Sequence, residues 1–526
     1  MVNATIINYL MLLSNSFTDI PEYGLTSHMG VDYYDARNEN GLSQLIRRVP
    51  EGLDRHYVLN VKIGANVPLN PRTFEDLQKL EILNLVLETP IVPDDIFSRL
   101  YSLKCLTIWG EFETVDKRAL HGLQNLEQLQ LSRSNHFPSR VFDCLRSVKL
   151  LDLSWNTIAN VTSLFHADLP QLSFLLLGGN QIRQLSVDNF NKVPNLKKLN
   201  LDNNQISMIE PGSLSMAKLG KLTLRHNALR SLHEAMLPNL PGLIHVDLQN
   251  NHIREIHPET FARNPRLDTL FLGHNQLESL NWLSYGLVHA STLYLNNNQL
   301  SALQQADFEN SRRLQVINLS HNNISTVEFG TLDDLHNLTH LDLSHNRLEH
   351  LDRSLFSRAI HLQYLNLSHN EIADFDPILF GQNTKLKSLH LSHNKIRKLP
   401  PGAFASLDSL WYLHLDHNRI QSLSSYGFLR LANLWGLNLA HNNISVINGR
   451  AFYGLKHLGK LFLNNNSLER VGATTFAGLR YLQRMNLYGN RFECVNEGVF
   501  QHLRRAKIVV DDGKVKVKCA KSQSFV

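Results

Sequence analysis

The sequence predicts an α/β solenoid, a curved stack of short coils with one parallel sheet along its concave face. Three features carry this prediction. Asparagine returns at Asn156, Asn180, Asn204, Asn227, Asn251, Asn275, Asn298, Asn322, Asn346, Asn370, Asn394, Asn418, Asn442, Asn466 and Asn490, at steps of 24 residues with two steps of 23. These asparagines close LxxLxLxxN units, as in "LDLSHNRLEHL" at 341–351. Ten residues after the asparagine, phenylalanine returns as Phe190, Phe261, Phe308, Phe356, Phe380, Phe404, Phe428, Phe452 and Phe476, and Phe500 extends the column.

A period of this length with these letters is the leucine-rich repeat signature. The alternation in LxL turns two leucines inward from a short strand, and the asparagine satisfies buried backbone groups where the chain leaves it. Stacked phenylalanines fill the convex side, where each ring buries a large apolar area. Upstream the asparagine is lost but the strand letters persist in "LEILNLVLE" (80–88), "LKCLTIWGE" (103–111) and "LEQLQLSRS" (126–134), and more weakly in "HYVLNVKIG" (56–64). The prediction is a horseshoe of about nineteen coils whose core is continuous because neighbours stack. Residues 1–55 form an N-terminal segment and cap, 56–490 the solenoid as a single elongated domain, and 491–526 a C-terminal cap.

Terminal coils must be covered. Cys494 follows the last repeat and Cys519 lies just beyond "EGVFQHLRR", a pair placed to close a short helix-containing cap with a disulfide. A bridge between the other two cysteines, Cys105 and Cys144, would have to span more than one coil. A disulfide implies an oxidising, extracellular compartment. At the start, "MVNATIINYLMLL" has an apolar run of signal-peptide length, but neither a basic beginning nor a clear cleavage site. No apolar run reaches the length of a membrane span. N-x-S/T sequons occur at Asn3, Asn160, Asn318, Asn323, Asn337, Asn366, Asn443 and Asn465, against roughly six expected by chance at this composition. They permit secretion without arguing for it. Asn160, Asn323, Asn337, Asn443 and Asn465 are the glycosylation candidates, whereas glycans on Asn318 and Asn366 would occupy the concave face. A net charge of +5 gives no support to nucleic-acid binding.

Enzyme motifs are absent: there is no GxSxG, HExxH, phosphate-binding glycine loop or dinucleotide fingerprint. No catalytic residue, cofactor or metal is therefore expected. Variable strand positions face the concave side, and there Tyr364, His390, Tyr412 and His414 gather, with Trp411 and Trp435 one position earlier in adjacent coils. Aromatic anchors of this kind favour protein interfaces; the alternative is that the tryptophans only shield the sheet's flank. Phe271 and Tyr294 make a smaller patch. Lys198, Lys221 and Arg225, then Lys460 and Arg484, make the ends of the inner face basic. Histidine precedes the repeat asparagine at His226, His274, His321, His345, His369, His393, His417 and His441, the last six in consecutive coils. Three explanations stand open: a habit left by duplication, a surface that gains charge between pH 7.5 and 5.5, or paired metal ligands.

The repeat run 56–490 resembles extracellular leucine-rich repeat proteins of animals, including Toll-type receptor ectodomains and insect adhesion proteins. The segment from Cys494 through "EGVFQHLRR" and "VVDD" to Cys519 resembles the C-terminal cap of the mosquito leucine-rich repeat immune proteins. That likeness implies secretion, disulfide-linked pairing with another leucine-rich repeat chain and capture of complement-like proteins. "CAKSQSFV" carries no heptad pattern and no spare cysteine, so coiled-coil pairing is not expected from these residues. The expected function is a secreted, non-enzymatic recognition protein, in innate immunity, that binds a protein or microbial surface. The alternative is an adhesive or matrix protein, or the ectodomain of a cell-surface receptor.

Overall fold

The computed structural model describes residues 34–36, 58–110, 112–285, 287–503, 505–511 and 515–516. Asn3, Cys519 and most of the N-terminal segment lie outside them. The chain divides into two compact units, 1–148 and 149–526.

In the first unit, strands Val58–Ile63, Ile82–Leu87, Cys105–Gly110 and Gln128–Leu131 lie parallel and in register, Leu83 opposite Leu106 and Leu85 opposite Ile108. Three of these strands run to six residues because no asparagine turns the chain out of them. Their apolar alternation continues instead, and Leu83, Leu85 and Leu87 are all buried. A strand at Tyr34–Ala36, which the sequence pattern did not reveal, pairs with Val58–Ile63 and starts the sheet one coil earlier. On the return legs the rings of Phe74 and Phe97 stack at 6.0 Å.

In the second unit each repeat contributes a strand of three residues, from Leu150–Asp152 to Arg484–Asn486, every one parallel to the next coil's. The middle residue is buried and its neighbours face outward, as in Tyr364–Asn366 and Ser388–His390. The sheet does not stop at 490: Lys507–Val509 continues it inside the segment read as cap. Rings stack without a break from Phe356 through Phe380, Phe404, Phe428, Phe452 and Phe476 to Phe500, with centroids 5.8–6.4 Å apart. No α-helix occurs among the described residues. The return legs are turns and short 3-10 segments such as Gln305–Phe308 and, in the cap, Glu497–Phe500. With so few residues to cross the coil, a 3-10 turn rising about 2.0 Å per residue reaches further than an α-helix rising about 1.5 Å.

Asparagine does what the sequence asks of it, and more. Asn370, 7% exposed, donates through Nδ2 to the Leu367 carbonyl of its own coil at 3.2 Å and to the Leu343 carbonyl of the preceding coil at 2.9 Å. Its Oδ1 accepts the Leu348 amide of the preceding coil at 3.0 Å. The same set recurs at Asn346, Asn394, Asn418, Asn442 and Asn466. One side chain thus closes its own turn and clamps it to its neighbour.

Cys105 and Cys144 are free thiols, so they do not bridge; burial pushes each up to about 11. Cys519, the expected partner of Cys494, lies outside the described residues.

Asn370→Ala leaves the Leu348 amide unpaired in a dry interior and takes one of the two side-chain donors from each of the Leu343 and Leu367 carbonyls, which keep Asn346 and Asn394, a loss of roughly 2 to 3 kcal/mol. Chemical denaturation of the purified chain measures it, and an unchanged midpoint would contradict the clamp.

Candidate functional site

Because each three-residue strand from Leu150–Asp152 to Arg484–Asn486 buries its central apolar residue, leucine in most coils, its two flanking positions are free to vary, and the exact register stacks them in columns. Tyr364 pairs with Ser388, Ser388 with Tyr412, Asn366 with His390, and His390 with His414. The expected aromatic residues therefore come together. His340 lies 5.9 Å from Tyr364, Tyr364 is 5.2 Å from His390, and His390 stacks on His414 at 4.5 Å. Tyr412 lies 6.2 Å from His414, 6.3 Å from Trp411 and edge-on to Trp435 at 5.6 Å. Trp411 is 54% and Tyr412 38% exposed, so the track ends in apolar surface open to solvent.

Two glycines that the sequence reading passed over make room for these rings. A Cβ on Gly436 would stand 2.9 Å from Cδ1 of Tyr412, and one on Gly459 would stand 2.5 Å from Nε1 of Trp435. Lys460 is not merely a basic end residue. Its ammonium lies 4.4 Å from the centre of the Trp435 ring, a cation–π contact that fixes the far end of the track.

The smaller patch also forms. Phe271 stacks on Tyr294 at 4.7 Å and touches His245 at 5.2 Å. Next to it Lys198 faces Lys221 across the ladder, and burial with the Lys221 charge lowers Lys198 to about 8. Burial raises Asp202 to about 6 and also raises Asp152 and Asp247, so buried carboxylates sit among the lysines. Of the sequons, Asn160, Asn323, Asn337, Asn443 and Asn465 are exposed, while Asn318 and Asn366 are half-buried with their Oδ1 atoms engaged by Ser320 and Ser368.

The six consecutive histidines form a ladder. Rings of His321, His345, His369, His393, His417 and His441 stack at 3.9–4.1 Å with planes within 11°. All six backbones are left-handed, φ 53–55°. Asn203, Asn250, Asn297 and Asn465 share that conformation at φ 54–56°, and glycine takes the position at Gly179 and Gly489. Few other residues tolerate it. The recurrence of histidine thus has a local backbone cause, independent of any ligand.

Of the three explanations, a gain of charge between pH 7.5 and 5.5 is opposed at the centre of this surface. Burial, then the His345 and His393 rings over its faces, lower His369 to about 4; burial and His321 lower His345. Burial and His414 lower His390 to about 4, and burial lowers His414. His369 and His390 therefore stay neutral through the range in which a free imidazole charges, and His345 and His414 take a proton less readily than a free imidazole.

The geometry defines a class: a parallel-sheet solenoid with a clamped interior and an aromatic track on its open sheet face. The family pattern described as "Leucine rich repeat" matches residues 170–216, 217–277, 289–348, 337–382, 360–420, 412–468 and 456–507. A "BspA type Leucine rich repeat region (6 copies)" matches 60–167. The chain belongs to the leucine-rich repeat family. Podocan-like protein 1 of Mus musculus is 30% identical over 52% of this chain and 48% of its own length. Osteomodulin of Bos taurus is 31% identical over 36% of this chain and 43% of its own. The chain thus spans about half the length of these relatives or less. In the Drosophila Toll–Spätzle complex, a solved chain superposes with a TM-score of 0.67 at 22% identity, covering 86% of this chain and 60% of that one, a likeness of fold. No helix among the described residues is long and apolar enough to cross a membrane.

Between pH 6.5 and 4 the unfolded chain takes a proton at residue 390 that the folded chain refuses. The contribution of His390 to stability is therefore complete above about 6.5 and is lost as the pH falls through about 4. Wild type should lose denaturant resistance faster than His390→Gln between pH 7 and 4.5. Asp202 works in the opposite direction but is common to both proteins. Parallel curves would show that His390 takes protons freely.

Proposed function

We propose that this chain is an extracellular, non-enzymatic recognition protein that binds a protein partner through the sheet face at Tyr364, His390, Trp411, Tyr412, His414 and Trp435. The supporting observation is the continuity of the aromatic track, rings within about 6 Å of one another across consecutive coils, ending in exposed Trp411 and Tyr412. An interface core favours aromatic residues that are rigid before contact, because little side-chain entropy is then lost on binding. Solvated singly, such residues would offer the chain nothing; arranged contiguously, they fit a partner's apolar surface.

The Toll chain of the same fold is recorded in complex with Spätzle and described as a hub in development and innate immunity. A role in innate immunity for this chain, the mosquito-type cap and secretion rest on that analogy and on the cap letters. An adhesive or matrix role is the alternative, favoured by likeness to podocan-like protein 1 and osteomodulin. Cys494 pairs with Cys519 in this account and closes the cap.

The full chain, immobilised and exposed to extracellular fluid of the source organism, should retain a protein that Trp435→Ala and Tyr412→Ala release. Each should weaken binding by about 2 kcal/mol or more, while Lys198→Ala, remote on the same face, should have little effect. Gly459→Val, which drives a methyl into Trp435, should act like the loss of the ring. Undiminished binding by all three aromatic-track variants would move the site elsewhere. Retention at a cell or matrix surface, with no soluble partner, would select the adhesive alternative.

Cys494→Ser should cost the C-terminal coils about 2 to 4 kcal/mol, the scale for opening a loop of this size. Free thiols at both 494 and 519 in the native secreted protein would remove the cap disulfide.

A further inference from the structure

Along the histidine ladder the residue before each histidine is small: Ser320, Ser344, Ser368, Ser392 and Ala440. One coil departs, where "DHN" at 416–418 places Asp416 beside His417. Across the ladder, His393 stacks on His417 at 4.1 Å with planes 9° apart. One ring nitrogen from each histidine and one carboxylate oxygen of Asp416 lie within 4.8 Å of one another. Both side chains bound to Asp416, the Ser392 hydroxyl at 2.6 Å and the Asn438 amide at 2.8 Å, donate to Oδ1. Those bonds hold the carboxylate in place while Oδ2 keeps its lone pairs for a further partner. Main-chain bonds from His393 to Asp416 and from His417 to Ala440 fix the backbone beneath all three groups.

We propose that His393, Asp416 and His417 form a site for a divalent transition-metal ion such as Zn²⁺. Two imidazole nitrogens and one carboxylate oxygen suit zinc, nickel or copper, whereas calcium and magnesium take oxygen donors almost throughout. Ligand atoms around a tetrahedral ion with bonds of ~2.0–2.2 Å stand roughly 3.4 Å apart, within rotamer adjustment of the exposed histidines. The Ser392 and Asn438 bonds supply the orientation that outer hydrogen bonds usually give a metal-bound carboxylate. Three protein ligands leave the fourth position to water or to a donor from a bound partner. The site adjoins the strand of Tyr412 and His414 but requires no partner to form. It therefore stands or falls separately from the recognition function.

Isothermal titration of the full chain with zinc chloride in a non-coordinating buffer at pH 7.5 tests the proposal. Wild type should bind one ion per chain, and added zinc should raise its melting temperature. Asp416→Asn, His393→Asn and His417→Asn should each weaken binding by about tenfold or more. Asparagine is chosen for the histidines because Asn203, Asn250, Asn297 and Asn465 hold the same left-handed backbone. Metal-free melting temperatures equal to wild type will show that these variants fold. His345→Asn, on the same ladder in a coil without the acid, should bind as wild type does. Binding unchanged in Asp416→Asn, or weak uptake by many histidines with no one-to-one site, would overturn the proposal.

Discussion

Each coil of the second unit from Leu150–Asp152 to Arg484–Asn486 depends on one asparagine side chain placed where the backbone would otherwise be left unpaired in a dry core. Leaving a three-residue strand, the chain must turn, and at that bend the Leu343 and Leu367 carbonyls and the Leu348 amide find no partner in the sheet. Asn370 satisfies all three, two of them in the preceding coil. A leucine there would fill the space and orphan the amide. An aspartate could accept from the amide but offer the carbonyls nothing. In the first unit, without this residue, three strands lengthen to six residues, and Ile82–Leu87 alternates buried apolar side chains to its end.

The clamp has two consequences for the surface. It fixes the preceding residue in the left-handed region, so histidine, asparagine or glycine stands there in nearly every coil. It also locks successive strands in register, so variable positions become columns and neighbouring coils can build one track from residues about 24 apart. Glycine at 436 and 459 lets Tyr412 and Trp435 lie against adjacent coils, and Lys460 anchors the last ring. Burial first, and then close stacking, withholds charge from the central histidines, because an imidazolium in such a column meets little water and its neighbours' positive field.

Much of this was legible because the repeat states each interaction many times. The asparagine and phenylalanine columns, the strand leucines and the meeting of Tyr364, His390, Tyr412, His414, Trp411 and Trp435 follow from period and alternation alone. What escaped was whatever occurs once. The strand Tyr34–Ala36 carries no repeat letters, the continuation at Lys507–Val509 lies in a segment read as cap, and the cap forms a 3-10 turn at Glu497–Phe500 where a short helix was expected. The roles of Gly436, Gly459 and Asp416 arise from contacts between coils, which a single repeat does not display. The same holds for the histidines: spacing gives their proximity, but burial and neighbouring rings lower His345 and His369.

Recognition and metal capture both require that the coils hold a fixed register, since rings and ligand nitrogens from different coils must keep fixed separations. The rigidity resides in the amides that the asparagines accept: Leu348, Ile372, Ile396 and Ile420 bond Asn370, Asn394, Asn418 and Asn442 at 3.0–3.1 Å. Native-state hydrogen exchange reads these four amides directly. If the clamp holds the coils, they exchange only through global unfolding, as slowly as the buried strand amides. Exchange at the rate of exposed loop amides, under conditions where the strands stay protected, would contradict the clamp and the surface built upon it.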